Sequence, residues 1–155
     1  MSDERDTAGV IAPPPLIYGG ALGLGILANR RYPAPFPPRR IARLLGWPLI
    51  VAGLGLAELG ALEFGRAETN VNPYKPAAAL VQAGPYRFTR NPGYLGAALI
   101  YAGISLLARS PWSLALLPGV LAIMRRGVIE REERYLEGKF GEEYRLYKER
   151  VRRWI

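Results

Sequence analysis

Glu132 stands out among the residues that could do chemistry. On a helical wheel centred on it, at about 100° per residue, Val128, Ile129, Tyr135, Leu136 and Leu121 fall within about 60° and Phe140 within about 80°. Glu130 and Glu137 lie well off this stripe, and Glu130 is spaced to pair with Arg134. A carboxylate on an apolar stripe needs a cation or several donors once it is buried. Arg125, on the same stripe two turns earlier, could pair with it internally, or the glutamate could stand exposed in a charge-rich helix. The alternative is a carboxylate that lines a polar cavity and meets a ligand. Glu58 poses a similar question, as the one acid in an apolar stretch, with a loop arginine as its structural alternative.

Composition limits the chemistry available around such a carboxylate. The 155 residues include no cysteine and no histidine. This excludes disulfides, thiolate nucleophiles, Cys/His metal sites and histidine-dependent triads, and leaves no imidazole base near neutral pH. No metal site is expected. The net charge is +8, and only Lys75, Lys139 and Lys148 are lysines.

The elements that must position these residues are apolar helices. Mean hydropathy is only +0.03, but the average conceals segregation into four stretches. The expected architecture is all-α: a single integral-membrane domain over 1–155, with about four transmembrane helices near 11–29, 42–63, 92–108 and 111–126. A charged helical tail, 127–155, continues from the fourth. Asp3, Glu4 and Asp6 precede the first stretch where a signal peptide would be basic, so it is not expected to be cleaved. Gly19 and Gly23 form a small-xxx-small pair that would admit a neighbouring helix.

Tyr32-Pro-Ala-Pro-Phe-Pro-Pro38 cannot be helical and forms a stiff connector. Segment 63–90 is polar and predicts an extended loop, of a length more often functional than idle. Pro118 should kink the fourth span. Four spans put both termini on one side, with most of the basic residues. The positive-inside rule makes that side cytoplasmic, although Arg30, Arg31, Arg39, Arg40 and Arg43 oppose it. The arginines flank apolar spans, where they serve topology and anionic headgroups. The expected partners are therefore membrane lipids and not nucleic acid.

Two motifs carry a resemblance. Gly84-Pro-Tyr-Arg-Phe-Thr-Arg-Asn-Pro-Gly-Tyr-Leu-Gly96 is followed by Glu132-Glu133-Arg-Tyr-Leu136, Phe140-Gly-Glu-Glu-Tyr144, Tyr147 and Val151-Arg-Arg-Trp154. Over about residues 69–155 the chain resembles the isoprenylcysteine carboxyl methyltransferase family, most closely its small bacterial members with an R-N-P-x-Y variant. The resemblance implies an integral-membrane methyltransferase of a bacterial cell membrane, with S-adenosylmethionine cupped by the last two spans and the C-terminal segment. Carried over residue by residue, the cofactor contacts are Ala78, Ala79, Leu80, Val81, Tyr86, Asn91, Pro92, Gly93, Tyr94 and Glu132.

These residue types suit that ligand. A desolvated carboxylate complements a sulfonium, tyrosines offer faces and hydroxyls, and a helix start at Pro92 favours an anion. There are departures from the family. Asn91 replaces a histidine and cannot titrate. Val128 stands where prenylcysteine enzymes hold a substrate-binding arginine, leaving Arg125 or Arg126 as possible substrate contacts.

Transfer from a sulfonium needs alignment and water exclusion more than acid–base groups. A carboxylate acceptor needs no deprotonation, which suits a chain without histidine. The expected reaction is O-methylation of a lipophilic carboxylate reached through the bilayer. The alternatives are N-methylation of a phospholipid or small molecule, an NADPH-dependent membrane reductase of related fold, and a non-catalytic membrane protein.

Overall fold

The structure is a computed structural model that describes residues 7–155; Asp3, Glu4 and Asp6 lie outside the described residues. The described residues form α1 (Pro14–Arg31), α2 (Arg39–Arg66), α3 (Pro92–Leu107), α4 (Pro111–Met124), α5 (Glu130–Phe140) and α6 (Glu142–Arg150), with no strand among them. A π turn, Arg125–Ile129, joins α4 to α5, and a 3-10 turn, Gly84–Arg87, lies within the long loop before α3. Prolines open α1, α3 and α4, where an absent N–H leaves no bond unmade. Ser110 caps α4 by accepting from the Ser113 amide at 3.2 Å. The proline-rich connector 32–38 is irregular, as its composition requires.

Among the described residues two helical runs, and not four, are long and apolar enough to cross a bilayer: α2, with 28 residues, and the continuous 30-residue run Pro111–Phe140. The other two expected spans fall short for simple reasons. At 16 residues α3 reaches about 24 Å at 1.5 Å per residue, against a hydrocarbon core of roughly 30 Å. Two prolines and two arginines occupy the ends of the 18-residue α1 and shorten its apolar part. Large apolar side chains nonetheless face outward: Leu24 and Leu27 on α1, Leu44, Trp47, Val51 and Leu54 on α2, and Ile123 on α4. An apolar exterior of this extent marks a membrane-associated protein.

Glycines set the distance between α2 and α3. Gly46, Gly53 and Gly60 recur every seven residues along α2, and Gly96 and Gly103 do the same on α3. A Cβ on Gly53 would stand 2.5 Å from the Gly96 carbonyl, and one on Gly96 would stand 2.6 Å from the Gly53 carbonyl. Gly46 and Gly103 oppose each other in the same way, and Gly60 faces Pro92. The antiparallel pair therefore approaches backbone to backbone, as small residues permit. Gly19 and Gly23 play no such role, because a Cβ on either meets nothing within 4 Å. Instead, α1 meets α4 at Gly25, which packs on Ser113 and whose carbonyl accepts from Ser110 Oγ at 3.0 Å.

The π turn resets the helix phase between α4 and α5. One extra residue in a turn rotates everything beyond it by about 100°. Gly127, Val128 and Ile129 become buried, and Ile11 lies against Gly127, donating its amide to the Gly127 carbonyl at 3.1 Å. Arg125 is swung to the surface, where its Nε donates to Glu130 at 2.9 Å. Of the alternatives open for Glu132, the pair with Arg125 is not formed; the expected Glu130–Arg134 pair is corrected, since among the described residues Glu130 pairs with Arg125 and Arg153.

Candidate active site

The long loop, α3, α5 and α6 meet around one cavity. Eight of the expected residues line it: Ala79, Leu80, Val81, Tyr86, Asn91, Gly93, Tyr94 and Glu132. Ala78 and Pro92 do not; Ala78 is exposed, and Pro92 packs under Gly60 in the glycine seam. Arg125 and Arg126 also lie outside and line a separate groove. Glu58 is exposed on α2, and the buried acid of that helix is Glu63, paired with Arg66.

Glu132 enters the cavity from α5 and Tyr94 from the first turn of α3. The Tyr94 hydroxyl donates to Glu132 Oε1 at 2.6 Å. No cation pairs with Glu132 among the described residues. Its charge is therefore offset by one hydroxyl donor alone, which is little for a carboxylate on an apolar stripe.

Next to Glu132 in sequence, Glu133 has the opposite fate. It accepts from Arg153 Nε at 2.9 Å and Nη2 at 2.7 Å, and Arg90 Nη2 lies 3.2 Å away. This bidentate clamp fastens the C-terminal segment, whose Arg153 carbonyl also accepts from Asn91 Nδ2 at 3.0 Å and Thr89 Oγ1 at 3.2 Å. Asn91 thus has a structural task that its motif does not announce. It lines the cavity while its amide group holds the tail.

Arg90 is 9% exposed at its side chain and lines the same cavity. Its Nε and Nη1 have no hydrogen-bond partner among the described residues. Beside it, the first N–H groups of α3 lack partners by construction. An anion that reached this corner would meet a guanidinium with unused donors and the positive end of a helix. Gly93 lines the cavity too, and a Cβ there would meet nothing within 4 Å. The space it leaves is cavity and not packing.

A strap formed by residues 70–82 closes the site. Ala77 N donates to Tyr135 Oη at 3.0 Å, Ala78 N to Thr69 Oγ1 at 2.8 Å, and Gln82 Nε2 to Glu143 at 3.1 Å. Tyr147, from α6, donates to the Tyr86 carbonyl at 2.8 Å, and Phe64 meets the Tyr86 ring edge-on at 5.6 Å. Burial first, then the charges of Tyr147 and Glu132, pushes the Tyr86 hydroxyl above the usual phenol range. Burial does the same for Tyr144 and Tyr147. These phenols stay neutral and can donate. The cavity has a volume of 180 Å³, at the small end beside the roughly 300–1,000 Å³ of ligand pockets.

Arg90, Glu133, Tyr135, Leu136, Tyr144 and Tyr147 also line the cavity, and none of them is among the expected site residues. The i,i+3 spacing of Tyr144 and Tyr147 was the available signal, since it puts both on one helix face.

Comparison with known proteins assigns the family. The family model described as phospholipid methyltransferase matches residues 41–143, most of the chain and nearly all of the site. The chain belongs to the phospholipid methyltransferase family. It is also similar to probable protein-S-isoprenylcysteine O-methyltransferases of Oryza sativa, from both the indica and japonica subspecies. Each is 29% identical over 109 residues, covering 69% of this chain and 57% of the relative. The chain thus spans a little over half the length of these rice relatives. An uncharacterized protein of Haemophilus influenzae is 51% identical over 55 residues, 32% of this chain and 87% of that protein.

Proposed function

We propose that this chain is an S-adenosylmethionine-dependent methyltransferase acting on a lipophilic acceptor, with carboxyl O-methylation as its reaction. The observation that carries the proposal is the pairing of opposite needs in one cavity. Among the described residues, Glu132 brings a carboxylate with no cation partner, and Arg90 brings a buried guanidinium with unused donors. A ligand carrying both a cation and a carboxylate satisfies both, and S-adenosylmethionine is such a ligand.

When bound, this cofactor supplies a methyl group on an already activated sulfonium. Glu132 complements the positive charge in a site of low dielectric, where the attraction exceeds its value in water. Tyr94 holds the Glu132 carboxylate in place through its hydroxyl. Arg90 and the first amides of α3 hold the cofactor carboxylate. Gly93 leaves room for the ligand against the helix start. The strap and α6 exclude water, which aligned transfer requires. No residue has to take a proton if the acceptor is a carboxylate, in keeping with a cavity whose tyrosines are neutral and a chain without histidine.

The family's description favours a second reading, N-methylation of a phospholipid headgroup. An amine acceptor must lose a proton, and Glu132 is the carboxylate free to take it, since Glu133 is committed to Arg90 and Arg153. In either reading the protein crosses the membrane with its active site on the cytoplasmic side, and the acceptor arrives from the bilayer.

The chemistry of the product separates the two. The full chain in lipid vesicles is given methyl-labelled cofactor and a panel of lipophilic acids and phospholipids. A methyl ester releases labelled methanol in alkali, and an N-methyl group does not. Alkali-labile label supports the first reading, alkali-stable headgroup label supports the second, and no transfer to either class overturns both.

A further inference from the structure

A second concavity shares no lining residue with the active-site cavity. Its floor is apolar: Leu95 and Ala98 from α3, Leu121 and Ala122 from α4. Arg125 and Arg126 of the π turn form its rim, and Trp154 of the C-terminal segment forms a wall. Its volume, 430 Å³, lies within the range of ligand pockets. These are the arginines that the sequence offered as acceptor contacts, and the π turn has removed them from that site.

We propose that this groove binds an anionic phospholipid of the surrounding bilayer, its phosphate on Arg125 and Arg126 and its first methylenes on the apolar floor. Charge complementarity makes the case for an anion. Both guanidinium groups are exposed; Arg125 gives its Nε to Glu130, while Arg126 has no ion pair among the described residues. A guanidinium presents several donors in a plane that matches phosphate oxygens. The position makes the case for a lipid. Here the uncharged α4 gives way to the charged α5, the level at which a helix passes from hydrocarbon to headgroups. Tryptophan is enriched at that level, and exposed Ile123 keeps the adjoining face of α4 apolar. A soluble anion would use the rim but gain nothing from the floor.

Trp154 is a reporter within the groove. The other tryptophans, Trp47 and Trp112, lie near the opposite ends of α2 and α4. Full-length W47F/W112F protein in neutral detergent micelles is titrated with phosphatidylglycerol or phosphatidylcholine carrying brominated acyl chains, which quench tryptophan on contact. Saturable quenching is expected, with half-saturation at about thirtyfold lower phosphatidylglycerol than phosphatidylcholine, as two basic residues at an anionic surface provide. R125Q/R126Q should abolish the difference, while R87Q/R134Q, which removes two exposed arginines outside the groove, should leave it. Equal quenching by the two lipids overturns the proposal, as does an equal loss in both arginine pairs. Should the double tryptophan replacement not fold, W154F in the natural background must remove the component of quenching specific to phosphatidylglycerol. Survival of that component also overturns it.

Discussion

Tyr94, in the first turn of α3, donates its hydroxyl to Glu132 of α5 at 2.6 Å, joining two segments 38 residues apart in the chain. The bond fixes the direction of the Glu132 carboxylate, which has no cation partner among the described residues. Tyr94→Phe keeps the ring and removes the donor. Cofactor affinity should fall about tenfold, the worth of one hydrogen bond to a charged group, with helix content unchanged. Equilibrium binding and circular dichroism on the same preparation check both halves of that statement.

Gly93 and Gly96 stand one turn apart on α3 and should respond oppositely to an added side chain. A Cβ on Gly93 meets nothing within 4 Å, so Gly93→Val fills cavity without a clash. The protein should fold, and bind cofactor at least about tenfold more weakly, because the space it occupies is the ligand's. A Cβ on Gly96 meets the Gly53 carbonyl at 2.6 Å, so Gly96→Val must push α2 and α3 apart and destabilise by about 1–3 kcal/mol. Thermal unfolding in detergent, compared with binding, separates the two effects.

Arg90 is assigned to the carboxylate of the cofactor, and a ligand without that group tests the assignment. Arg90→Gln should weaken S-adenosylmethionine binding about tenfold, and binding of its decarboxylated analogue hardly at all. An equal loss for both ligands would mean that Arg90 acts only through Glu133.

Glu133→Gln removes the charge gripped by Arg153 and Arg90. Breaking a buried pair while leaving its cations in place should destabilise by about 3 kcal/mol. Because Arg153 anchors the last residues, the C-terminus should also become sensitive to protease well below the unfolding temperature. Mass analysis of the clipped product would locate the cut after α6.

Much of the site was legible in the sequence because it rests on types and spacing. Glu132 on an apolar stripe, and the run from Asn91 to Tyr94 at a helix start, required only a wheel and a motif. Three features were not legible. A π turn has no sequence signature, so a uniform 100° wheel puts Arg125 on the face of Glu132, whereas its partner in the structure is Glu130. The glycine seam has a seven-residue period, but Gly19 and Gly23 display the commoner four-residue motif, and only packing separates a seam from a lipid-facing glycine. The third is Arg90, whose two unused donors depend on Glu133 being claimed by Arg153 from the far end of the chain. Four uncharged stretches predict four spans, but uncharged length is not spanning length, and α3 and α1 lack the apolar reach.

Binding of S-adenosylmethionine to the purified full chain, measured at equilibrium beside Glu132→Gln, bears most directly on the proposed site. The amide keeps the size of the side chain and an acceptor for Tyr94 but removes the charge. Saturable binding is expected for the natural chain, with affinity lowered at least about tenfold in the variant at unchanged helix content. Undiminished binding in Glu132→Gln would contradict the assignment of that carboxylate to the cofactor's positive charge.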